Sequence, residues 1–316
     1  MTHEFIAGID IGGTKIAFGI AAADGKIIAR SSVPTDARNS PEASMIEVQE
    51  SLQRLAEKHH GSLAAIGIGC PGPLELVHGV VLAPPNMPVS WRQFPLLSFV
   101  ESRVGLPVVV DNDANAAAVA EHLYGVGRGY SDLVYLTIST GIGGGIIANN
   151  QLVHRMGEAG HVTVNPGGEL CGCGARGCFE AECSGTAIAR RAHQQLLTGR
   201  ESKLRDLVSD IKQVTAKTVE RAAREGDELA CAVWQETVSL MATGISSIVA
   251  LLAPQAIILG GGVTAGAGEF LLQPLRAELH QRVRIVGMEG VQVLEAALGA
   301  DSGLYGALAL GARALQ

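Results

Sequence analysis

The chain has 316 residues, long enough for about two domains at ~150 residues each. Hydrophobic residues make up 47% and charged residues 17%, the latter below the usual ~25%, so a large core is expected. Its 24 basic and 31 acidic residues leave a formal charge of -7, which argues against a nucleic-acid surface built on a basic stripe.

The opening MTHEFIAGID has neither the basic nor the apolar stretch of a signal peptide. The most apolar run, Ile245 to Leu259, is broken by Ser246, Ser247, Pro254 and Gln255, short of the ~20 apolar residues of a membrane span. A soluble, cytoplasmic protein is the expectation. In chain order, apolar runs predict strands at Phe5 to Ile11, Ile16 to Ala21 and Lys26 to Val33, the last two joined by the turn Ala23-Asp24-Gly25. Ser40 and Pro41 predict the start of a helix reaching His60, with Ile46, Leu52 and Leu55 on its apolar face and Gly61 stopping it. A buried strand follows at Ala64 to Gly69, then the rigid turn Cys70-Pro71-Gly72-Pro73, a proline-rich loop from Leu82 to Pro95 and a helix to about Arg103. Leu106 to Val110 reads as a parallel-sheet strand running into Asp111-Asn112-Asp113 and a helix to Leu123.

Leu133 to Ile138 is a strand, Thr140 to Gly145 a glycine-rich turn, and Gly144 to Ala148 the return strand. This strand, glycine turn, strand order echoes the start of the chain and suggests an internal repeat. Thr186 to Ala253 is mostly helical, Ala256 to Leu259 is a strand ending in Gly260-Gly261-Gly262, Phe270 to Arg282 is a helix and Val291 to Glu295 the last strand. The final helix, Ser302 to Ala314, carries Gly303, Gly306 and Gly311 and so can pack closely against a neighbour. The expected division is 1–112 with 302–316 as a smaller α/β domain and 113–301 as a larger one.

Three glycine-rich strand ends point to a nucleotide, the first two to its phosphates and the third to its flat ring. Asp10-Ile11-Gly12-Gly13-Thr14-Lys15 places a carboxylate before two glycines, so backbone N–H groups can approach an oxyanion and the aspartate can hold magnesium through water. Taken alone it could also be an ordinary hairpin, and it is neither a Walker loop nor a dinucleotide fingerprint. Ser139 to Gly145 and Gly260-Gly261-Gly262 repeat the pattern, and together the three loops read as a nucleotide site. Asp111-Asn112-Asp113 stands between a strand and a helix. These residues could cap the helix, the preferred role for Asp111, while a carboxylate there could also take a proton from a hydroxyl nucleophile.

The densest signal is Glu158 to Glu180, EAGHVTVNPGGELCGCGARGCFE. Cys171, Cys173 and Cys178 with His161 form a Cys3His zinc set, with Cys183 competing for the fourth position. Gly172, Gly174 and Gly177 would let backbone N–H groups approach the sulfurs. Buried free thiols are the plainer alternative, disulfides are disfavoured in a chain of this type, and Cys70 and Cys231 read as core residues.

DIGGTK near the start, DNDANAAA in the middle, EAGH and CGCGARGCFE together resemble the ROK family (repressors, open reading frames and sugar kinases), in order from Ile9 to about Ala312. The resemblance implies an actin-like ATPase (ribonuclease H-like) fold, with two α/β domains around a cleft. It implies an ATP-dependent hexose kinase with Asp113 as general base on the sugar hydroxyl. Asn86, Asn112, Glu158, His161 and Glu180 would be sugar contacts. Asp10 would position magnesium, and Gly12, Gly13, Thr14, Lys15, Thr140 and Gly141 would line the phosphates, with Gly261 and Gly262 beside the nucleotide. His161 would bind zinc through one ring nitrogen and face the sugar with the other, making zinc a structural support for the sugar loop.

The PNMPVSW segment and Glu158 resemble bacterial glucokinases most, which implies phosphorylation of the 6-hydroxyl of glucose. N-acetylmannosamine, N-acetylglucosamine, fructose and allose remain alternatives. The family also suggests a homodimer or homotetramer and contains DNA-binding repressors. Those carry a helix-turn-helix ahead of the DIGGTK strand; here nine residues precede Asp10, so a repressor is not expected. A sugar-responsive protein without catalysis is the remaining rival.

Overall fold

The computed structural model describes residues 3–35, 39–84, 87–153, 157–284 and 288–315. The chain divides into two compact units, Met1–Gly129 with Ala300–Gln316, and Tyr130–Gly299.

In the first unit β1 (His3–Ile11), β2 (Lys15–Ala21) and β3 (Ile27–Pro34) form an antiparallel meander. Gly25, at a φ of 82°, makes the β2–β3 turn, where a non-glycine residue would be strained. Helix α1 (Pro41–Lys58) starts as expected: the Ser40 hydroxyl accepts from the Ala43 N–H, with Pro41 in the first turn. Its buried stripe is Met45, Val48, Leu52 and Ala56; of the expected face Leu52 is buried, while Ile46 and Leu55 lie at its half-buried margin. The helix ends at Lys58, and left-handed His60 turns the chain, so Gly61 opens the next strand instead of stopping the helix.

Strand β4 (Gly61–Cys70) lies parallel to β1, and the short pair β5 (Leu74–Glu75) and β6 (Val80–Val81) leads to α2 (Leu96–Val104). Strand β7 (Val108–Asn112) pairs parallel with β4 and runs straight into α3 (Asp113–Tyr124). The sheet order is β3-β2-β1-β4-β7.

The second unit repeats this plan. Strands β8 (Leu133–Ile138), β9 (Ile142–Ala148) and β10 (Gln151–Leu152) form the meander, and β11 (Ala256–Gly260) and β12 (Gln292–Glu295) add in parallel, in the order β10-β9-β8-β11-β12. The turn between β8 and β9 is shorter than expected. Gly143, Gly144 and Gly145 pair with Thr137, Leu136 and Tyr135 as strand residues, and Ser139 to Gly141 make the turn. The small strand is required: a Cβ on Gly144 would sit 2.8 Å from the Gly157 carbonyl oxygen.

Between β10 and β11 come α4 (Phe179–Cys183), α5 (Gly185–Leu197), α6 (Leu204–Leu207), α7 (Ala216–Arg224) and α8 (Glu228–Leu252); α9 (Gly261–Ala267) and α10 (Glu269–Arg282) follow β11. Helix α8 is long and apolar enough to cross a membrane by length and composition. Its Met241, Ile245 and Val249 are nevertheless buried in the second unit's own core with Phe179, Ile188 and Leu275.

The last helix, α11 (Ser302–Arg313), returns to the first unit, and its glycines explain how. A Cβ on Gly67 of β4 would fall 1.9 Å from the Ala307 carbonyl oxygen, and one on Gly306 would fall 2.9 Å from the Ala116 carbonyl carbon. Helix α11 therefore lies backbone-close to both β4 and α3. This contact moves the boundary from the expected Asp113 to Gly129, because α3 is held by α11 and belongs to the first unit.

Candidate functional site

In the first unit the end of β1 and the β7–α3 junction bring two carboxylates together. Asp111 is buried and accepts from the Asn112 N–H (2.7 Å) and the Asn115 side-chain amide (2.8 Å). The capping oxygen of α3 belongs to Asn112, which accepts from the Asn115 N–H at 2.7 Å. The cap expected of Asp111 is thus made by its neighbour, and Asp111 braces the loop. Asn112 keeps its amide N–H groups for other partners.

Asp113 accepts from the Ala114 N–H at 2.8 Å; part of its surface is exposed, yet the protein around its carboxyl desolvates it and pushes it above the ordinary carboxylate value despite that bond. Burial also raises Asp10, to about 6, with the negative Asp113 adding to the rise and Lys15 opposing it. A Cβ on Gly303, in the first turn of α11, would lie 2.2 Å from the Asp10 carboxylate, so only glycine leaves that space.

The turn after Asp10 is tightly closed. The Gly12 N–H donates to the Lys15 carbonyl at 2.9 Å, and the Thr35 hydroxyl donates to the Gly12 carbonyl at 2.6 Å. Thr14 and Lys15 stand exposed, and Gly12 and Gly13 are half-buried. The expected sugar contact Asn86 lies outside the described residues.

The other candidates belong to the second unit. A cavity of about 570 Å³ opens beside the β8–β9 turn and the start of α9. Ser139, Thr140 and Gly262 line it together with Thr186, Thr215 and Trp234. Gly262 faces open space, whereas Gly261, with φ at 86°, would push a Cβ to 2.4 Å from the Ile138 carbonyl oxygen. Of this glycine pair, Gly262 lines the cavity and Gly261 is there for backbone packing.

Sequence reasoning missed Thr186, Thr215 and Trp234. Thr186 is fixed by its hydroxyl donating to the Thr140 carbonyl at 2.8 Å, and Trp234 stacks on Phe270 with centroids 5.6 Å apart. Nothing local marks them, because their helices reach the cavity only through packing.

The segment from Glu158 to Glu180 is built on the same unit. His161 Nδ1 lies 3.6 Å from Cys171 Sγ, Cys173 and Cys178 sulfurs are 3.7 Å apart, and all four donor atoms lie within 4.8 Å of one another. A tetrahedral ion with metal–sulfur bonds of about 2.3 Å has sulfur–sulfur edges of about 3.8 Å, so the donor set fits one. The Ala175 backbone N–H reaches the Cys173 sulfur and holds that thiol below its ordinary pKa. Left-handed Gly174 and Gly177 shape the knuckle; a Cβ on Gly177 would meet the Asn165 carbonyl oxygen at 1.7 Å.

Cys183 is not in the cluster. It is buried in the core, donates to the Thr237 carbonyl and is pushed up by that burial. The other imidazole nitrogen of His161, Nε2, faces Glu158 at 3.8 Å. Glu180 follows Cys178 on α4, and its Oε2 accepts from the Ile142 N–H at 3.0 Å.

The model of the ROK family matches residues 6–314. A glucokinase of Streptomyces coelicolor is 37% identical over 311 residues, covering 95% of this chain and 95% of that one. The ROK hexokinase structure from Thermus thermophilus superposes with a TM-score of 0.87 at 33% identity, over 98% of this chain and 99% of that one. A ROK family glucokinase from Streptomyces griseus, solved with glucose and AMPPNP, gives 0.77 at 38% identity, over 98% and 99%. The fold is therefore the actin-like ATPase fold. With the family pattern matched along almost all of its length, the chain belongs to the ROK family.

Proposed function

We propose that the protein is an ATP-dependent sugar kinase that phosphorylates the 6-hydroxyl of glucose. The observation carrying this reading is Asp113: an accessible carboxylate at the start of α3, whose proton affinity is raised by the protein that desolvates it. Such a group suits general-base work at neutral pH, because a base of higher pKa draws the hydroxyl proton more strongly while still ionised. The similar chains named as glucokinases support the sugar and the donor.

In this reading the β8–β9 turn and the cavity beside it hold the nucleotide, with Gly12, Gly13, Thr14 and Lys15 as further phosphate contacts. Asn112, Glu158, His161 and Glu180 orient the sugar, and Asn86 is assigned the same role. Asp113 takes the hydroxyl proton as the oxygen attacks the γ-phosphorus in line, and the ADP oxygen leaves with the bond electrons. Asp10 is the residue to hold magnesium through water, since the raised Asp10 beside Asp113 marks negative charge that a cation would relieve. When bound, magnesium neutralises charge on the phosphates. His161, Cys171, Cys173 and Cys178 would hold a structural zinc ion that stiffens the loop carrying Glu158 and Glu180.

The test is an ATP-dependent phosphorylation assay across glucose, N-acetylmannosamine, N-acetylglucosamine, fructose and allose, with Asp113→Asn as control. Glucose should give the highest kcat/KM and a 6-phosphate product, and Asp113→Asn should lose ~10²–10⁴-fold in kcat with glucose affinity kept. A higher kcat/KM on another sugar would replace glucose as the acceptor. Near-normal turnover by Asp113→Asn would remove it as the base.

A further inference from the structure

Building on the kinase reading, we propose that Glu180 is a positioning residue for the nucleotide's phosphates as well as a sugar contact. Its carboxylate is a strut from the cysteine knuckle to the β8–β9 turn.

The turn is held at both ends. Ser139 N–H closes on the Gly141 carbonyl at 2.8 Å. The Ser139 carbonyl accepts from the Gly185 N–H at 2.7 Å and the Thr140 carbonyl from the Thr186 hydroxyl at 2.8 Å, so both are drawn to the start of α5. On the opposite side Glu180 Oε2 takes the Ile142 N–H at 3.0 Å. Among the described residues the Thr140 and Gly141 N–H groups have no hydrogen-bond partner, and Thr140 lines the cavity. These two N–H groups are therefore the turn's donors to a phosphate oxygen.

Gly141 carries the imprint of the strut. A Cβ there would fall 2.4 Å from Glu180 Oε2, so glycine at 141 leaves the carboxylate room to reach the next N–H. Glu180 is itself anchored close to the knuckle. It comes two residues after Cys178, and the intervening Phe179 is fully buried with its N–H on the Val162 carbonyl at 2.8 Å. The loop that ends in His161 also abuts the turn: a Cβ on Gly160 would meet the Ile142 carbonyl oxygen at 2.1 Å. One oxygen of Glu180 thus orients the phosphate turn while the other remains for a sugar hydroxyl. The metal knuckle thereby sets nucleotide geometry as well as sugar choice.

The experiment measures binding of AMPPNP and of AMP, without sugar, to the metal-loaded protein and to Glu180→Gln, Glu180→Ala and Glu180→Asp. AMP lacks the phosphates the turn would hold, so the AMPPNP-to-AMP affinity ratio isolates the turn. Gln and Ala both remove the charge, but only Gln keeps an acceptor within reach of the Ile142 N–H. Asp keeps the charge and falls short. The ratio should drop about tenfold for Ala relative to Gln, and for Asp relative to the parent, the size expected for one buried N–H left without its acceptor. Equal ratios for Ala and Gln, with Asp matching the parent, would reduce Glu180 to a sugar contact alone. A parent protein that binds neither nucleotide would instead sink the kinase reading, and this inference with it.

Discussion

At the level of single residues, the four positions 10, 111, 112 and 113 show what an amino-acid string can and cannot assign. A polar cluster between a strand and a helix was expected to contain a cap and a reactive carboxylate; the cap is present in the DND run, and the second role is the one proposed for Asp113. Which residue does which depended on backbone direction at the end of β7. Asn112, not Asp111, points its oxygen at the free N–H groups of α3, while Asp111 is turned inward to the Asn115 amide. The desolvation that raises Asp113 is likewise a tertiary effect, and it has a kinetic consequence. Because the base must be ionised to accept a proton, kcat/KM should fall as pH drops, with the acid limb centred above the ordinary carboxylate value of 3.8. A pH–rate profile flat down to pH 4 would contradict that assignment.

At the level of elements, glycine was the clearest signal and the most easily over-read. The three glycine-rich stretches were expected to form a nucleotide site, with the second turn running from Thr140 to Gly145 and the return strand starting at Gly144. In the structure Gly143 to Gly145 are strand residues, and Gly261 is required by the backbone of Ile138. Substitution separates these roles. Gly261→Ala, at φ 86° with no space for a Cβ, should lower stability by more than ~2 kcal/mol in urea unfolding. Gly262→Ala, which faces open space in a helix, should keep or raise stability while weakening nucleotide binding. Equal effects at the two positions would mean that neither is distinguished by its backbone. The cysteine knuckle was legible because ligand spacing is local: three of its four donors lie within Cys171 to Cys178, and the antiparallel bridge between Thr163 and Cys178 brings the His161 segment beside them. Metal analysis of purified protein should find about one zinc per chain, lost in Cys171→Ser. Retained stoichiometric zinc in that variant would mean the ligand set is wrong.

For the whole molecule, the desolvation of Asp10, with the negative Asp113 adding to it, makes stability depend on pH. The folded state holds the Asp10 proton up to about pH 6, against an ordinary value of 3.8, so it binds more protons than the unfolded chain in that window. Stability is therefore lost as pH rises from ~4 to ~6, and above it the charged, half-buried carboxylate costs up to about 3 kcal/mol. Asp10→Asn should raise the Tm of the ligand-free protein at pH 7.5 and flatten its decline across that window. A lower Tm for the variant at pH 7.5 would refute this account.

The two-unit plan itself follows from the sequence: apolar strand runs, their glycine ends and the echo between residues 5–21 and 133–148 are local patterns, and the observed sheets share one strand order. The family motifs and the cysteine–histidine cluster were readable for the same reason, since each is a short run of defined residue types. Tertiary structure alone decided that α3 belongs with α11 in the first unit, that Thr186, Thr215 and Trp234 line the cavity, and that Glu180 reaches back 38 residues to the Ile142 N–H. Each of these depends on a contact between segments far apart in the chain, and residue spacing carries no information about which distant backbone group a side chain will meet.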